Sequence, residues 1–145
     1  MVAYGENKNR IGITKNTDLE KDIALQFENE CKEAGKYLAM ARLFERNGYP
    51  ELARVLEKIG LEELGHGVRF AELNGLISED LVENLKEMVE GEKRSNVKKK
   101  ELAIKAKELE LDEAHDVLDE ASRDEQRHCE ALKGILKRYF DVDIE

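Results

Sequence analysis

The chain has no tryptophan, one proline and two cysteines among 145 residues, and aromatic side chains make up only 6% of it. Each shortage removes a class of structure. So few prolines and aromatics argue against a sheet sandwich with its many turns, whereas 39% charged and 41% hydrophobic residues suit long amphipathic helices. The cysteines, Cys31 and Cys129, lie far apart with no CxxC pair, so neither a disulfide framework nor a cysteine metal knuckle is expected. No apolar run reaches 18 residues, and the first sixteen, MVAYGENKNRIGITKN, lack the hydrophobic stretch of a secretory signal. A cytoplasmic protein with no membrane partner is expected. Positive charge is short too: a formal net charge of −9 would repel nucleic acid and anionic lipid alike, so no nucleic-acid partner is expected. The run Lys98-Lys99-Lys100 sits among glutamates and reads as a solvated helix face.

What is present is helical periodicity, and the fold class read from it is all-α. A chain of this length buries roughly 68–70% of its unfolded surface, enough for one core. The expected organisation is an N-terminal extension over residues 1–16, a four-helix domain over 17–140 and a tail over 141–145. The first helix is expected to start at Thr17, with Glu20 completing a capping box, and to stop at Gly48. Its apolar stripe is Leu19, Ile23, Phe27, Glu30, Ala34, Tyr37, Ala41 and Phe44. The second runs from Pro50 to Asn74-Gly75 along Leu52, Leu56, Ile59, Glu63, His66, Phe70 and Leu73. The third begins after Ser78 with Leu81, Leu85, Met88, Glu92, Ser95, Lys99 and Leu102, where Lys99 takes a place expected to be apolar. The fourth begins near Asp112 with Ala114, Leu118, Ala121, Glu125, His128, Leu132, Ile135 and Tyr139, and no glycine marks the boundary before it. His115 falls one position off this stripe and reads as a surface residue.

Every stripe is interrupted by polar residues at its centre, and the interruptions repeat. Adding 62 carries Glu30 to Glu92, Glu63 to Glu125 and His66 to His128. The chain reads as two copies of a helix hairpin, each with one glutamate on its first helix and Glu-x-x-His on its second, 33 residues further on. Four carboxylates in an apolar seam would protonate or open the fold unless counter-charged. Two divalent cations supply that charge, and oxygen with imidazole suits iron, manganese or zinc. Glu-x-x-His puts both ligands on one helical face, one turn apart. One Glu from each of two helices plus Glu-x-x-His from each of the other two is the ligand set of ferritin-like di-iron and di-manganese bundles. Glu62 and Asp124, each just before a Glu-x-x-His, are candidates to accept a hydrogen bond from a metal-bound imidazole of the opposite hairpin. Tyr37, two turns past Glu30, is a candidate to hydrogen-bond a ligand or assist electron transfer, and its repeat-mate is Lys99. Gly60, Gly65 and Gly67 flank the second-helix ligands and mark close packing or substrate access.

Over roughly residues 11–140 the sequence resembles the ferritin-like domain of rubrerythrins. The segments ENECKEAGKYLAMARLFERNGYPELA, EELGHGVRFAELNG and RDEQRHCEALKGILKRYF are most similar to reverse rubrerythrins, in which a rubredoxin domain precedes the bundle. This chain lacks the four cysteines that a rubredoxin iron site needs, and it has Ser95 where many rubrerythrins carry a further glutamate ligand. The resemblance implies two iron ions, with manganese or zinc as substitutes. It also implies reduction of hydrogen peroxide, with dioxygen as a second oxidant, to water in oxidative-stress defence. The electrons would come from a rubredoxin-type or other external donor. In ligand roles, Glu30 and Glu92 would bridge the metals, while Glu63 with His66 and Glu125 with His128 would each be terminal to one. The alternative function is ferritin-like iron oxidation and storage.

Ferritin-like folds run their second and third helices in the same direction. From the spacing of Leu73 and Leu81 about the ligands, the connector must return about 27 Å along the bundle. The seven residues from Asn74 to Asp80 reach about 23–25 Å. A homodimer that exchanges helix hairpins is therefore expected, with a short-turn up-down-up-down bundle as the alternative.

Overall fold

The computed structural model describes residues 10–145. Among these the chain forms four α-helices and no strand, α1 (Glu20–Arg46), α2 (Pro50–Leu73), α3 (Leu81–Glu108) and α4 (Asp112–Phe140). They pair as two antiparallel hairpins, α1 with α2 and α3 with α4. The chain divides into two compact units at the connector between Glu79 and Asp80. Among the described residues no helix is long and apolar enough to cross a membrane.

The expected start at Thr17 is corrected to Glu20. The Thr17 hydroxyl donates to the Thr14 carbonyl at 2.6 Å, inside the preceding turn, and Glu20 Oε2 accepts from the Asn16 N–H at 3.1 Å rather than from Thr17. The end of α2 is finished by this same N-terminal segment. Gly12 and Thr14 donate their N–H groups to the carbonyls of Glu72 and Leu73 at 2.8 and 3.0 Å, so they satisfy acceptors that a helix C-terminus leaves bare. The Thr14 side chain is buried beside Asn74, whose amide reaches the Glu20 carbonyl at 2.8 Å and so joins both helix ends.

The hairpin seams share Ala34 and Ala41 with the first-helix stripe, but on α2, α3 and α4 the buried positions lie beside the stripes. In the first unit the buried positions are Ala34 and Ala41 on α1 and Ala53, Gly60 and Gly67 on α2, the last three at seven-residue spacing. Small residues at such spacing let two helices approach closely. A Cβ added at Gly60 would stand 3.2 Å from both Tyr37 Cβ and Leu38 Cγ and 3.3 Å from the Ala34 carbonyl oxygen, so α1 runs directly over that position. In the second unit Ser122, Cys129 and Leu136 repeat the heptad on α4 against Val89, Ala103 and Ala106 of α3. Asn96 Nδ2 donates to the Ser122 carbonyl at 2.6 Å, and the Ser122 hydroxyl donates to the Asn96 carbonyl at 3.2 Å. His115, read as a surface residue, lies on this seam, partly buried with Nδ1 2.9 Å from the Ala103 carbonyl oxygen. Of the hydrophobic stripe residues, Leu19, Leu52, Leu81, Met88, Leu102, Ile135 and Tyr139 stay exposed.

Asp80 caps α3 by accepting the Glu83 N–H at 3.0 Å, two residues beyond the expected Ser78. After α4, Asp141 turns into the left-handed region and the Val142 N–H reaches back to the Leu136 carbonyl at 3.1 Å. Val142 and Ile144 then pack on Val89, Cys129 and Leu136, so the tail closes the second hairpin.

Candidate metal centre

Each hairpin brings one complete triad together. Glu30 of α1 meets Glu63 and His66 of α2, and Glu92 of α3 meets Glu125 and His128 of α4. In both groups the candidate ligand atoms lie within 4.8 Å of one another. His66 Nδ1 stands 3.5 Å from Glu30 Oε2 and 3.6 Å from Glu63 Oε2. His128 Nδ1 stands 3.5 Å from Glu92 Oε2 and 3.3 Å from Glu125 Oε2. The glutamate side chains are 15–20% exposed and the imidazoles 55–59%, so acidic groups line the inside of each triad and the rings form its open side.

The residues fit a cation. Metal–ligand bonds of about 2.0–2.2 Å place neighbouring donors of one ion about 3.0–3.4 Å apart, close to the separations found in both triads. Glu30 Oε2 is buried without a hydrogen-bond partner, an arrangement that costs free energy until something positive arrives. The Glu63 carboxyl is held above the ordinary carboxylate range, first by its hydrogen bond with Glu30, then by burial and by the Glu30 charge, while His66 pulls it down. Two carboxylates forced together in this way relax when a divalent ion is bound, because it cancels both charges.

The neighbours differ between the triads. Lys99 Nζ donates to Glu125 Oε1 and, at 2.6 Å, to the hydroxyl of Ser95, which itself stands 3.2 Å from Glu125 Oε1. In the sequence Lys99 is a break in an apolar stripe, the repeat-mate of Tyr37 and part of a basic run expected to be solvated; the last is corrected at Lys99, whose ammonium turns inward onto the second triad. Its charge was legible, but not that it would reach across to Glu125 on the neighbouring helix, with Ser95 one turn back on its own helix as a second partner. Tyr37 is half-buried against the Gly60 seam. Glu62 is exposed, and Asp124 is paired with Arg127 of its own helix, which lowers its carboxyl below the usual range. Both cysteines are free.

Paired Glu/Glu/His groups on four helices place the molecule in the class of helical di-metal carboxylate proteins. Comparison with known proteins goes further: residues 23–136 match the Rubrerythrin family, and the chain belongs to that family. It is 43% identical to reverse rubrerythrin-1 of Clostridium acetobutylicum over 137 residues, which cover 92% of this chain and 76% of that protein. It is 58% identical over 134 residues to an uncharacterized protein of Methanocaldococcus jannaschii, covering 92% of this chain and 95% of that one. With membership come the ferritin-like four-helix architecture, to which the four helices conform, and a di-iron centre, for which the two triads are the available donors.

Proposed function

We propose that the protein reduces hydrogen peroxide to water at a di-iron centre made of Glu30, Glu63, His66, Glu92, Glu125 and His128, using electrons from an external carrier. Dioxygen is a second oxidant in this reading. The observation that carries it is the pair of matching triads, each with two carboxylates and one imidazole at single-ion spacing. These residues would hold a ferrous pair whose two electrons, with two protons, would convert one peroxide to two waters as its O–O bond breaks. The chain's own residues do the rest. Four carboxylates match four positive charges, which leaves the cluster neutral, and Glu30 and Glu92, from the helices without histidine, would serve both metals. His66 and His128 bind as neutral ligands on the open side of their triads, where a small oxidant can enter. Glu62 and Asp124 are proposed to orient the imidazole of the opposite hairpin, and Tyr37, two turns past Glu30, to hydrogen-bond a ligand or assist electron transfer.

This reading treats residues 17–140 as the di-iron domain and joins the triads through a homodimer that exchanges hairpins. The support is the connector, seven residues between Leu73 and Leu81, against a longer return. The two cysteines cannot make a rubredoxin site, so a separate carrier of rubredoxin type re-reduces the irons. The deciding experiment loads the protein with ferrous iron without air and adds peroxide with reduced rubredoxin. Many turnovers per di-iron centre are expected. Iron uptake and oxidation with no sustained peroxide consumption would instead assign the protein to iron storage, and light scattering that gives a monomer with metal bound would exclude hairpin exchange.

A further inference from the structure

Glu125 and its repeat-mate Glu63 hold the same place in their triads, yet one oxygen of Glu125 is already engaged. Lys99 Nζ and Ser95 Oγ both lie on Oε1, while Oε2 turns to His128 Nδ1 at 3.3 Å. The pair is withdrawn from water, with the Lys99 side chain 31% and the Glu125 side chain 15% exposed, so solvent does little to dilute it. At the repeat positions stand Tyr37 for Lys99 and Glu33 for Ser95. Among the described residues no lysine or arginine pairs with Glu30 or Glu63. With neutral imidazoles the first triad therefore presents two uncompensated negative charges to an incoming ion, and the second presents two against one ammonium.

We propose that Lys99 makes the two metal positions unequal. The position built on Glu63 and His66 fills first and holds its ion more tightly. The position built on Glu125 and His128 fills second, with Glu125 binding through Oε2 alone because Oε1 stays with Lys99 and Ser95. The cause is electrostatic: the second ion must either displace an ammonium from a half-buried carboxylate or sit a few ångströms from it, and each route costs affinity. The inference rests on the di-metal reading above and adds the residue that orders its loading.

The test titrates the metal-free full-length chain with Co(II) in the absence of air, with bound metal counted by equilibrium dialysis and followed by the cobalt visible bands. Wild type is expected to bind two ions per chain in two steps whose dissociation constants differ by about tenfold or more. Lys99→Met and Lys99→Gln should tighten the second step by about tenfold and merge it with the first, whereas Lys99→Arg should keep the gap. Tyr37→Lys should weaken the first step, and it keeps the question answerable if the Lys99 variants do not hold their helicity. Two ions bound with equal affinity by wild type, or a second step that stays within about twofold in both neutral Lys99 variants, would overturn the inference and leave the di-metal reading standing. Failure of wild type to bind two ions at all would overturn the reading beneath it.

Discussion

The two hairpins share a plan and differ in how they carry it out. Their triads superpose in sequence by a shift of 62, and the same shift carries the seam position Ala34 to Asn96, Ala41 to Ala103, Gly60 to Ser122 and Gly67 to Cys129. The first hairpin closes by bringing helix backbones together over glycine and alanine. The second closes through larger side chains and the Asn96–Ser122 hydrogen bonds. Seams can change chemistry so long as each keeps its own spacing, whereas the triads must keep the residue types that bind metal. Near the triads the repeat departs at Ser95 for Glu33 and at Lys99 for Tyr37, and in the proposed loading order the Lys99 ammonium is what distinguishes the second triad from the first.

Removing one glutamate from each side gives the largest expected effect and tests the comparison directly. Loss of a directly binding carboxylate should cost more than the 10–100-fold typical of losing an outer partner, so Glu63→Ala and Glu125→Ala should each drop bound iron below two per chain, about 100-fold or more in affinity for the ion affected. If the first position is the tighter, Glu63→Ala leaves the weaker site and retains less metal than Glu125→Ala at the same free iron. Iron analysis after anaerobic loading and gel filtration measures both. Unchanged iron content in the two variants would remove the centre altogether.

The two triads were legible in the sequence because their six residues interrupt apolar stripes, which a packing argument cannot excuse, and because the interruptions recur at one shift. The helix bounds from Pro50 to Leu73 and from Asp112 onward were equally legible, from a first-turn proline, an Asn-Gly stop and the periodicity itself. The seams were legible only in part. Ala53 of α2 and Ala103, Ala106, Ser122 and Cys129 of the second hairpin carry little hydrophobicity, so a search for large apolar residues passes over the face where those helices meet and settles on the face beside it. For the same reason His115 read as surface, although its repeat-mate Ala53 is fully buried in the other seam. The docking of Gly12 and Thr14 on the end of α2 depends on backbone hydrogen bonds between distant segments, and no local pattern encodes those.

The seam difference predicts an asymmetric response to one methyl group. Gly60→Ala places a Cβ 3.2–3.3 Å from Tyr37, Leu38 and the Ala34 carbonyl. The gain in helix propensity is about 1 kcal/mol, but forcing apart a seam this tight costs more, for a net destabilisation of about 1–2 kcal/mol. At Gly134 of α4 an added Cβ meets nothing within 4 Å, so Gly134→Ala keeps the propensity gain and should stabilise by about 0.5–1 kcal/mol. Urea unfolding of the metal-free protein reads both. Equal shifts of the same sign would mean that the first hairpin is not closed by backbone approach.

The smallest expected effect lies in the two turns, which use the same hydrogen bonds. Tyr49 N–H reaches the Phe44 carbonyl at 3.0 Å and Leu111 N–H the Ala106 carbonyl at 2.9 Å, and the residue before each donor is left-handed. In the first turn that residue is Gly48 at φ +87°, and in the second it is Glu110 at φ +58°, its repeat-mate. This is why no glycine announced the end of α3: a glutamate occupies the position at the steric cost an L-residue bears there. Glu110→Gly removes that cost and gives back part of it as unfolded-state entropy, so a net gain of about 0.5 kcal/mol is expected, with metal content unchanged. The reciprocal Gly48→Glu should lose about 1 kcal/mol. Thermal unfolding of the pair decides whether the two turns are equivalent: a loss of stability in Glu110→Gly would show that the Glu110 side chain supports its turn in a way that the backbone geometry does not require.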